Sequence, residues 1–361
     1  MKRLASRLSA VLCLLSVVYC PSLTAQTQLS KYVPGITTDG AIYYLPKTSM
    51  HFIVQVERTT YTPGEYAAYA ERYLALHNVK AEKTVTHRVT NIMMQPVGLA
   101  DTAKCFVVKF NPKSAASNLE LADDGVLLAI NSQGIRQEHP RRFVPAPKAR
   151  PVNARQFLNE EILSAGSMAK RAELIAQEIY TIRDSKNQLT RGEADYMPND
   201  GAQLRIMLDK LEQQDAALTQ LFAGTTVCDT TEYIIVTCPM TGVKDMVLFR
   251  LSQHLGLVEA DDLSGEPYYL TLEDLHTVPA PADSKKKRKL VEEGIYVNIP
   301  GRVKATVTHE GRVLYTEEFT AGQFGNVELL SGELFNKRYT THLRLNPVNG
   351  GVELLEAEQP R

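Results

Sequence analysis

The sequence contains no tryptophan, and after its first 25 residues it has no stretch of the roughly 20 consecutive apolar residues that a transmembrane helix requires. The lack of tryptophan weakens a sugar-binding interpretation, because aromatic rings stack on sugar faces, but 16 tyrosines leave that interpretation open. The chain also lacks an excess of positive charge, since its formal net charge is −1. Nucleic acid is therefore not an expected partner, and no transmembrane helix is expected in the mature chain.

The first 25 residues have the three parts of a secretory signal peptide. Lys2, Arg3 and Arg7 form a positive segment, residues 8–19 are mostly apolar, and residues 23–25 provide a cleavage site. Their removal would move the formal net charge from −1 to −4, because the leader holds these three positive residues and no acidic residue. The sequence thus predicts an exported protein that is periplasmic, outer-membrane-associated or secreted.

The cysteines fit export without requiring a disulfide. Cys20 raises the alternative of a lipoprotein, but Tyr19 is bulkier than the small residue expected directly before a lipidated cysteine. Cys105, Cys228 and Cys238 remain after cleavage. Export permits a disulfide, yet one extended strand would hold the last two about 33 Å apart at about 3.3 Å per residue. We expect free, buried cysteines and no thiol nucleophile, because no histidine lies near them in the sequence.

The motifs predict no catalytic, cofactor-binding or metal site. The eight histidines are scattered, with neither His-Glu-x-x-His nor a paired Cys-x-x-Cys, so a zinc site is not expected. Ser167 and Lys170 match the Ser-x-x-Lys pattern of penicillin-recognising enzymes, but no Lys-Thr-Gly follows them, and Ser167 also suits a helix N-cap. The acidic loop at residues 193–201 has Met197 at a calcium-ligand position, which favours a turn with helix caps.

Strand patterns dominate both ends of the chain. Apolar residues of one parity between Ile42 and Val56 have the period of a half-buried strand. The segments Asp123–Gly125 and Glu310–Gly311 predict turns between paired strands. Between the first strands, residues 66–74 predict a short helix whose tyrosine stripe packs toward the sheet.

Two long helices are the clearest structural signal of the mature chain. Apolar residues recur at steps of three and four over residues 168–189 and again over residues 204–222. Asn199 or Asp200 is expected as the N-cap of the second helix and Gly224 as its C-terminal stop. The short connection predicts an antiparallel hairpin, and part of its apolar seam needs cover from the β regions or from another chain.

Together these patterns predict an α+β fold. It combines an N-terminal antiparallel β region with a short helix, a long antiparallel helical hairpin and a C-terminal β-sandwich-like region. The predicted parts are a signal peptide (1–25), an N-terminal β-rich domain (26–150), the helical hairpin (151–224), a β-rich segment completing the N-terminal domain (225–278), a Pro/Lys linker (279–290) and a small C-terminal β domain (291–361).

Several separated segments, taken in order, resemble one family. They are Tyr43–Thr48, Tyr61–Ala67 with Tyr73–Leu74, the loop around Glu193, Leu221–Gly224, Ile299–Gly301 and Gln323–Gly325. This pattern resembles a family of exported Bacteroidota proteins of unknown function, over nearly the whole mature chain. The resemblance implies an envelope or secreted location and brings no catalytic residues.

We therefore expect a non-catalytic cell-envelope protein that acts as a structural or partner-docking module. Its expected partner is an envelope protein or a second copy of the chain, bound through the helical hairpin. The alternatives are an exported hydrolase, which compartment and size suggest, and a glycan-binding protein, which the tyrosines suggest. No cofactor is expected.

Overall fold

The computed structural model describes residues 28–31, 40–109, 118–138, 143–144, 152–198, 200–279, 292–335 and 340–358. The predicted signal peptide lies outside the described residues, as do residues 280–290 of the predicted linker. In the described part of the chain, no helix combines the length and apolar character needed to cross a membrane.

A nine-stranded antiparallel sheet forms the larger part of the fold. Its strands are β1 (Gln28–Lys31), β2 (Ala41–Thr62), β3 (Thr84–Lys109), β6 (Thr225–Thr237), β7 (Val243–Ser252), β8 (Gly256–Val258), β9 (Glu266–Asp274), β10 (Glu292–His309) and β11 (Arg312–Ser331). They are arranged in the order β6-β2-β3-β1-β10-β9-β7-β8, and β11 pairs with β10. The predicted turn at Glu310–Gly311 is confirmed, because His309 pairs with Arg312 on either side of it.

A smaller antiparallel sheet has four strands. They are β4 (Leu119–Leu121), β5 (Leu127–Ile130), β12 (Thr340–Leu345) and β13 (Val352–Glu358), in the order β13-β12-β5-β4. The strands of residues 291–361 therefore lie beside earlier strands in both sheets, and the small sandwich predicted there is not confirmed. The mixed α+β class is confirmed, whereas the division into domains stays a prediction.

β2 and β3 are unusually long, at 22 and 26 residues, and they pair from Ala41–Val108 to Tyr61–Thr84. The predicted parity holds in the second half of β2, where Phe52 and Val54 are buried, but it is wrong at the start, where Ile42 is exposed and Tyr43 is buried because the register shifts between Tyr44 and Pro46. The sequence of residues 84–94 and that of residues 105–110 each predict a strand, but residues 84–109 form one continuous strand, because β2 offers β3 a partner along almost its whole length.

Two apolar clusters lie against these sheets, and β2, β3 and β10 contribute to both. The first cluster includes Phe52, Ile92 and Val303, and the second includes Tyr43, Val108 and Ile295. The largest fully buried side chains outside the helical part are Tyr43, Phe52, Phe335, Leu29, Leu45, Met50, Leu127, Leu128 and Ile130.

The helices are α1 (Ala70–Leu74), α2 (Glu160–Ser164), α3 (Met168–Arg191) and α4 (Gly201–Ala223). The predicted pair of long helices, α3 and α4, is thus present. Asp200 accepts a hydrogen bond from Gln203 N at 2.7 Å, as the predicted N-cap. Gly224 ends α4 with a φ of 78°, a left-handed conformation that glycine adopts without steric cost. Arg183 joins Asp215 across the pair with an N–O distance of 3.0 Å.

The tyrosine stripe covers the helices, so the prediction that it packs toward the sheet is wrong. Tyr66 and Leu74 are buried in a third apolar cluster with Ile175 and Phe222. The ring centroids of Tyr66 and Phe222 are 5.7 Å apart. The stripe faces the helices because both have an apolar surface that is buried when they pack together. The cover that we predicted from the β regions therefore comes from the segment that follows β2.

Candidate functional site

Strand β6 lies at an edge of the larger sheet. It pairs with β2 from Thr225–Thr62 to Thr237–Met50, and among the described residues no backbone–backbone hydrogen bond reaches its other side, although Phe143 N donates to Glu232 Oε1 at 3.4 Å. In an antiparallel pair, alternate residues direct their N–H and C=O groups away from the partner strand. The outward-facing donors and acceptors of its C-terminal part, Tyr233–Thr237, are therefore a template for another strand.

The other described edges carry protections that the C-terminal part of β6 lacks, although Asp229 and Glu232 charge the strand before it. Native sheets protect an edge by making the strand short, by placing charges on it or by covering it. β4 and β8 have three residues each, β13 carries three glutamates, and β11 packs on β3, where Tyr315 Oη accepts a hydrogen bond from Met94 N at 3.2 Å. The C-terminal part of β6, Tyr233–Thr237, is long enough to pair and has no charged residue.

The solvent-facing side of β6 is apolar at its C-terminal end. Ile234 and Val236 are 49% and 55% exposed. Ile234 lies opposite Ile53 of β2, which in turn lies opposite Met93 of β3, so three strands form an apolar row. His51 lies opposite Val236, and burial lowers its pKa below the ordinary value, which favours the uncharged ring beside this row.

Beyond the end of β6, a bulge in β11 makes hydrogen bonds with the backbone of Thr48 in β2. Gly322–Gly325 interrupt the pairing of β11 with β10 between Ile299 and Gly301. The side chain of Gln323 makes two hydrogen bonds with the backbone of Thr48, accepting from its N at 2.8 Å and donating to its O at 2.7 Å. A Cβ atom at residue 301 would lie 2.0 Å from Phe324 O, so only glycine fits there.

A buried polar network continues from this bulge. Asn298, which is fully buried, donates to Pro46 O at 2.8 Å and to Asn349 O at 2.9 Å. Its Oδ1 accepts a hydrogen bond from Lys104 Nζ at 3.3 Å. Burial lowers the pKa of Lys104, and the Asp101 carboxylate partly opposes that shift. The segments Tyr43–Thr48, Ile299–Gly301 and Gln323–Gly325, which carry the family resemblance, thus meet here.

A cleft of about 620 Å³ opens beside the network and begins three residues after β6. Its walls include two carboxylates, Glu273 and Asp274, and no lysine or arginine among the described residues that line it. His276 Nδ1 lies 3.3 Å from Asp274 Oδ2. The described lining residues are Met240, Thr241, Gly242, Glu273, Asp274, His276, Gln323, Phe324 and Gly325. The cleft suits a cationic side chain, because its ionisable lining is mainly acidic.

Two smaller clefts reach β6 from opposite faces. One of about 460 Å³ is lined by Thr231 and Tyr233, and the other, of about 360 Å³, by Thr226. Because successive residues of a strand alternate between faces, Thr231 and Tyr233 lie on one side of the sheet and Thr226 lies on the other. A strand added to β6 would likewise direct its side chains to both faces.

The residues considered from the motifs are structural in the described chain. Ser167 Oγ accepts a hydrogen bond from Lys170 N at 3.2 Å, so its N-cap role is confirmed. Lys170 Nζ instead donates to Glu173 Oε1 at 3.3 Å. The acidic loop joins α3 to α4, where Gly192 ends one helix and Asp200 caps the next.

The three described cysteines are free, as expected, but their predicted burial is wrong for two of them. Cys105 is buried, Cys238 is half-buried and Cys228 is exposed. Cys228 is exposed because it lies on β6, whose edge character depends on strand pairing and is not visible in local sequence. Burial raises the pKa of the Cys238 thiol, which donates a hydrogen bond to Thr48 O at 3.5 Å.

Three residues from separate parts of the chain could hold a metal ion. A ligand atom from each of Glu266, His309 and Glu310 lies within 4.8 Å of the other two. Sequence spacing did not predict this group, because Glu266 is 43 positions away from the histidine and joins it only through the pairing of β9 with β10.

Comparisons with known proteins place the chain in a family. A family model described as a domain of unknown function, DUF4831, matches residues 39–353. Comparisons with curated proteins and with solved structures found no significant match. The match spans β2 to β13 and includes β6 and the cleft. The chain therefore belongs to the DUF4831 family of domains of unknown function.

Proposed function

We propose that this protein is an exported, non-catalytic component of the cell envelope that binds an extended segment of a partner protein along β6. The observation that carries the proposal is the uncharged, apolar C-terminal part of the β6 edge, Tyr233–Thr237. Strand addition would use main-chain hydrogen bonds for affinity and the adjoining clefts for side-chain specificity.

The chemistry of the bound segment follows from the surfaces around β6. Apolar side chains suit the row of Ile234, Ile53 and Met93. A lysine, an arginine or a free amino terminus suits the cleft that contains Glu273 and Asp274. The proposed ligand is therefore an extended protein segment with alternating apolar residues and a positive group near one end.

The helices support this surface and are not proposed as the docking site. We treat α3 and α4 as an antiparallel helical hairpin, because Arg183 joins Asp215 while Lys186 joins Glu212. Tyr66 and its neighbours cover the part of the apolar seam that contains Ile175 and Phe222. The helical pair leads directly through Gly224 into β6 and holds the start of that strand.

Export is supported by residues 1–25 alone, with their positive segment, apolar stretch and cleavage site. The expected mature protein begins at Gln26 and is found in an envelope or secreted fraction. Fractionation of native cells followed by amino-terminal sequencing tests this expectation. A chain that retains Met1 in the cytoplasmic fraction would contradict it.

Site-specific photocrosslinking in native cells tests the docking surface. A photoreactive residue at Val236 should give one adduct of defined mass, whereas the same residue at Leu263, an exposed loop position, should not. The partner peptide recovered at Val236 should be apolar with a nearby basic residue. Ile234→Lys should abolish the adduct by charging the edge, and Val313→Lys, on an exposed part of β11, should leave it unchanged.

Two outcomes would count against the docking surface. One is the absence of any adduct at Val236 under conditions that capture established envelope complexes. The other is an adduct that survives Ile234→Lys or appears equally at Leu263. Circular dichroism of the lysine variants must match that of the wild type, so that a lost adduct reports binding and not unfolding.

A further inference from the structure

We propose that Glu266, His309 and Glu310 form a binding site for a divalent transition-metal ion. Glu266 begins β9, His309 ends β10, and Glu310 lies in the turn between β10 and β11. One imidazole and two carboxylates are a ligand set that zinc and similar ions accept. The site is independent of β6 and of the proposed partner.

The orientation of the His309 ring is the first step of the argument. Its Nδ1 lies 3.1 Å from Pro267 O, and a carbonyl oxygen can only accept, so Nδ1 carries the hydrogen. In the neutral ring, Nε2 therefore presents its lone pair. Metal-binding histidines commonly donate their other ring N–H to a carbonyl in this way, which fixes the ligand nitrogen.

Aromatic packing on one face also fixes the position of the His309 ring. His309 stacks on Tyr268 with ring centroids 4.1 Å apart and an interplanar angle of 1°. Tyr268 is buried and stacks in turn on Phe249, with centroids 4.4 Å apart. The imidazole is consequently positioned by the apolar core, while its Nε2 points toward the exposed carboxylate of Glu266.

The distances match coordination. His309 Nε2 lies 3.5 Å from Glu266 Oε2. Two ligands at about 2.1 Å from a tetrahedral metal are about 3.4 Å apart, so an ion fits between these atoms with little movement. Glu310 is exposed and its ligand atom is within 4.8 Å, which a side-chain rotation can shorten.

Without an added positive charge, the neutral Nε2 and the Glu266 carboxylate would direct lone pairs at each other. A proton on Nε2, or a metal ion between the two atoms, removes this repulsion between lone pairs. The second carboxylate, Glu310, favours the ion, because it adds a third ligand atom. Three protein ligands leave a tetrahedral position for water or for a carboxylate of another molecule.

Metal titration of the natively processed protein tests the site. Zn²⁺ should bind at one ion per chain, and Co²⁺ should give visible absorption bands that Zn²⁺ displaces. His309→Ala, Glu266→Gln and Glu310→Gln should each weaken Zn²⁺ binding at least tenfold. His77→Ala should not, although His77 Nδ1 lies 3.3 Å from Glu71 Oε1, because that exposed pair lies outside the three-residue group.

The two glutamine variants keep the test decisive if His309→Ala loses its ring stack and unfolds. Both glutamates are exposed, so their substitution should leave the circular dichroism spectrum unchanged. The metal site is refuted if the wild type binds no Zn²⁺ at millimolar concentration, which would leave a protonated ion pair of His309 and Glu266. It is also refuted if the glutamine variants and His77→Ala bind Zn²⁺ as the wild type does.

Discussion

Replacing Asn298 with leucine should cost more stability than any other change of one polar side chain in the buried network. Asn298 is fully buried and uses both ends of its amide. It donates to Pro46 O and Asn349 O, and it accepts from Lys104 Nζ. Leucine has a similar volume but no polar atom, so all three hydrogen bonds would be lost while the space stays filled.

The magnitude follows from these three bonds. A buried hydrogen bond between neutral groups contributes about 1 kcal/mol net, and one to a charged group about 2 kcal/mol. Two neutral bonds and the Lys104 bond together give a destabilisation of about 4 kcal/mol. Asn298→Asp should be comparably harmful, because its carboxylate would face two carbonyl oxygens at the positions where the amide now donates.

Urea unfolding followed by circular dichroism measures this loss as a change in the free energy of unfolding. Asn326→Leu is the matched control, since Asn326 donates to Pro279 O at 2.6 Å near the surface, where water can replace the bond. The control should lose less than about 1 kcal/mol. A loss below about 1 kcal/mol for Asn298→Leu, or one no larger than that of the control, would refute the reasoning.

Three further predictions concern other parts of the molecule. The pKa of Lys104 is lowered from its ordinary 10.5, so this group binds more protons in the unfolded chain just below that pH and contributes stability that rises toward pH 10.5. Burial raises the pKa of Tyr43, Tyr268 and Tyr315, which lowers the stability of wild type and Lys104→Met alike near pH 10, so the expected result is a difference in unfolding free energy, wild type minus variant, that rises with pH. Equal pH slopes of the two proteins in urea titrations would contradict the burial of the amine. Phe222→Ala should destabilise the protein by about 3–5 kcal/mol in the same assay, because Phe222 is fully buried against Tyr66; an exposed-site control, Tyr196→Ala, should change little. A thiol reagent followed by mass spectrometry should label native Cys228 first, Cys238 more slowly and Cys105 last, and faster labelling of Cys105 would show that its strand is open.

Local patterns in the sequence predicted elements whose signals are contained within a few neighbouring residues. The alternation from Ile42 to Val56 predicted a strand, and β2 contains it. The caps at Ser167, Asp200 and Gly224 were also predictable, because each depends on one side chain or one φ angle. Such signals require no knowledge of what lies opposite in space.

Pairing between distant segments could not be predicted in the same way. Local sequence does not show that β12 completes a sheet with β5, or that β10 lies between β1 and β9. The direction of the tyrosine stripe was wrong for a related reason. An amphipathic segment shows that it has an apolar face, but Tyr66 could equally have packed on a sheet or on helices until the partner was known.

The candidate site depended almost entirely on such distant pairing. The sequence of Tyr233–Thr237 is typical of any strand. The position of this strand at an edge appears only in the sheet order. The segments that carry the family resemblance gave a partial signal, since Thr48 and Gln323 meet although 275 positions separate them. Glu266 and His309 gave none, because two single residues at that separation match no spacing rule.

The sharing of β2, β3 and β10 between two apolar clusters has a thermodynamic consequence. Neither cluster can unfold alone without breaking strands that the other cluster requires. The two β-sheets, here called the β body, should therefore unfold as one cooperative unit. A segment bound at β6 would be coupled to that unit through β2, the neighbour of β6 along the full length of β6. A docked strand would then raise the melting temperature of the whole β body and would not simply order the edge it touches.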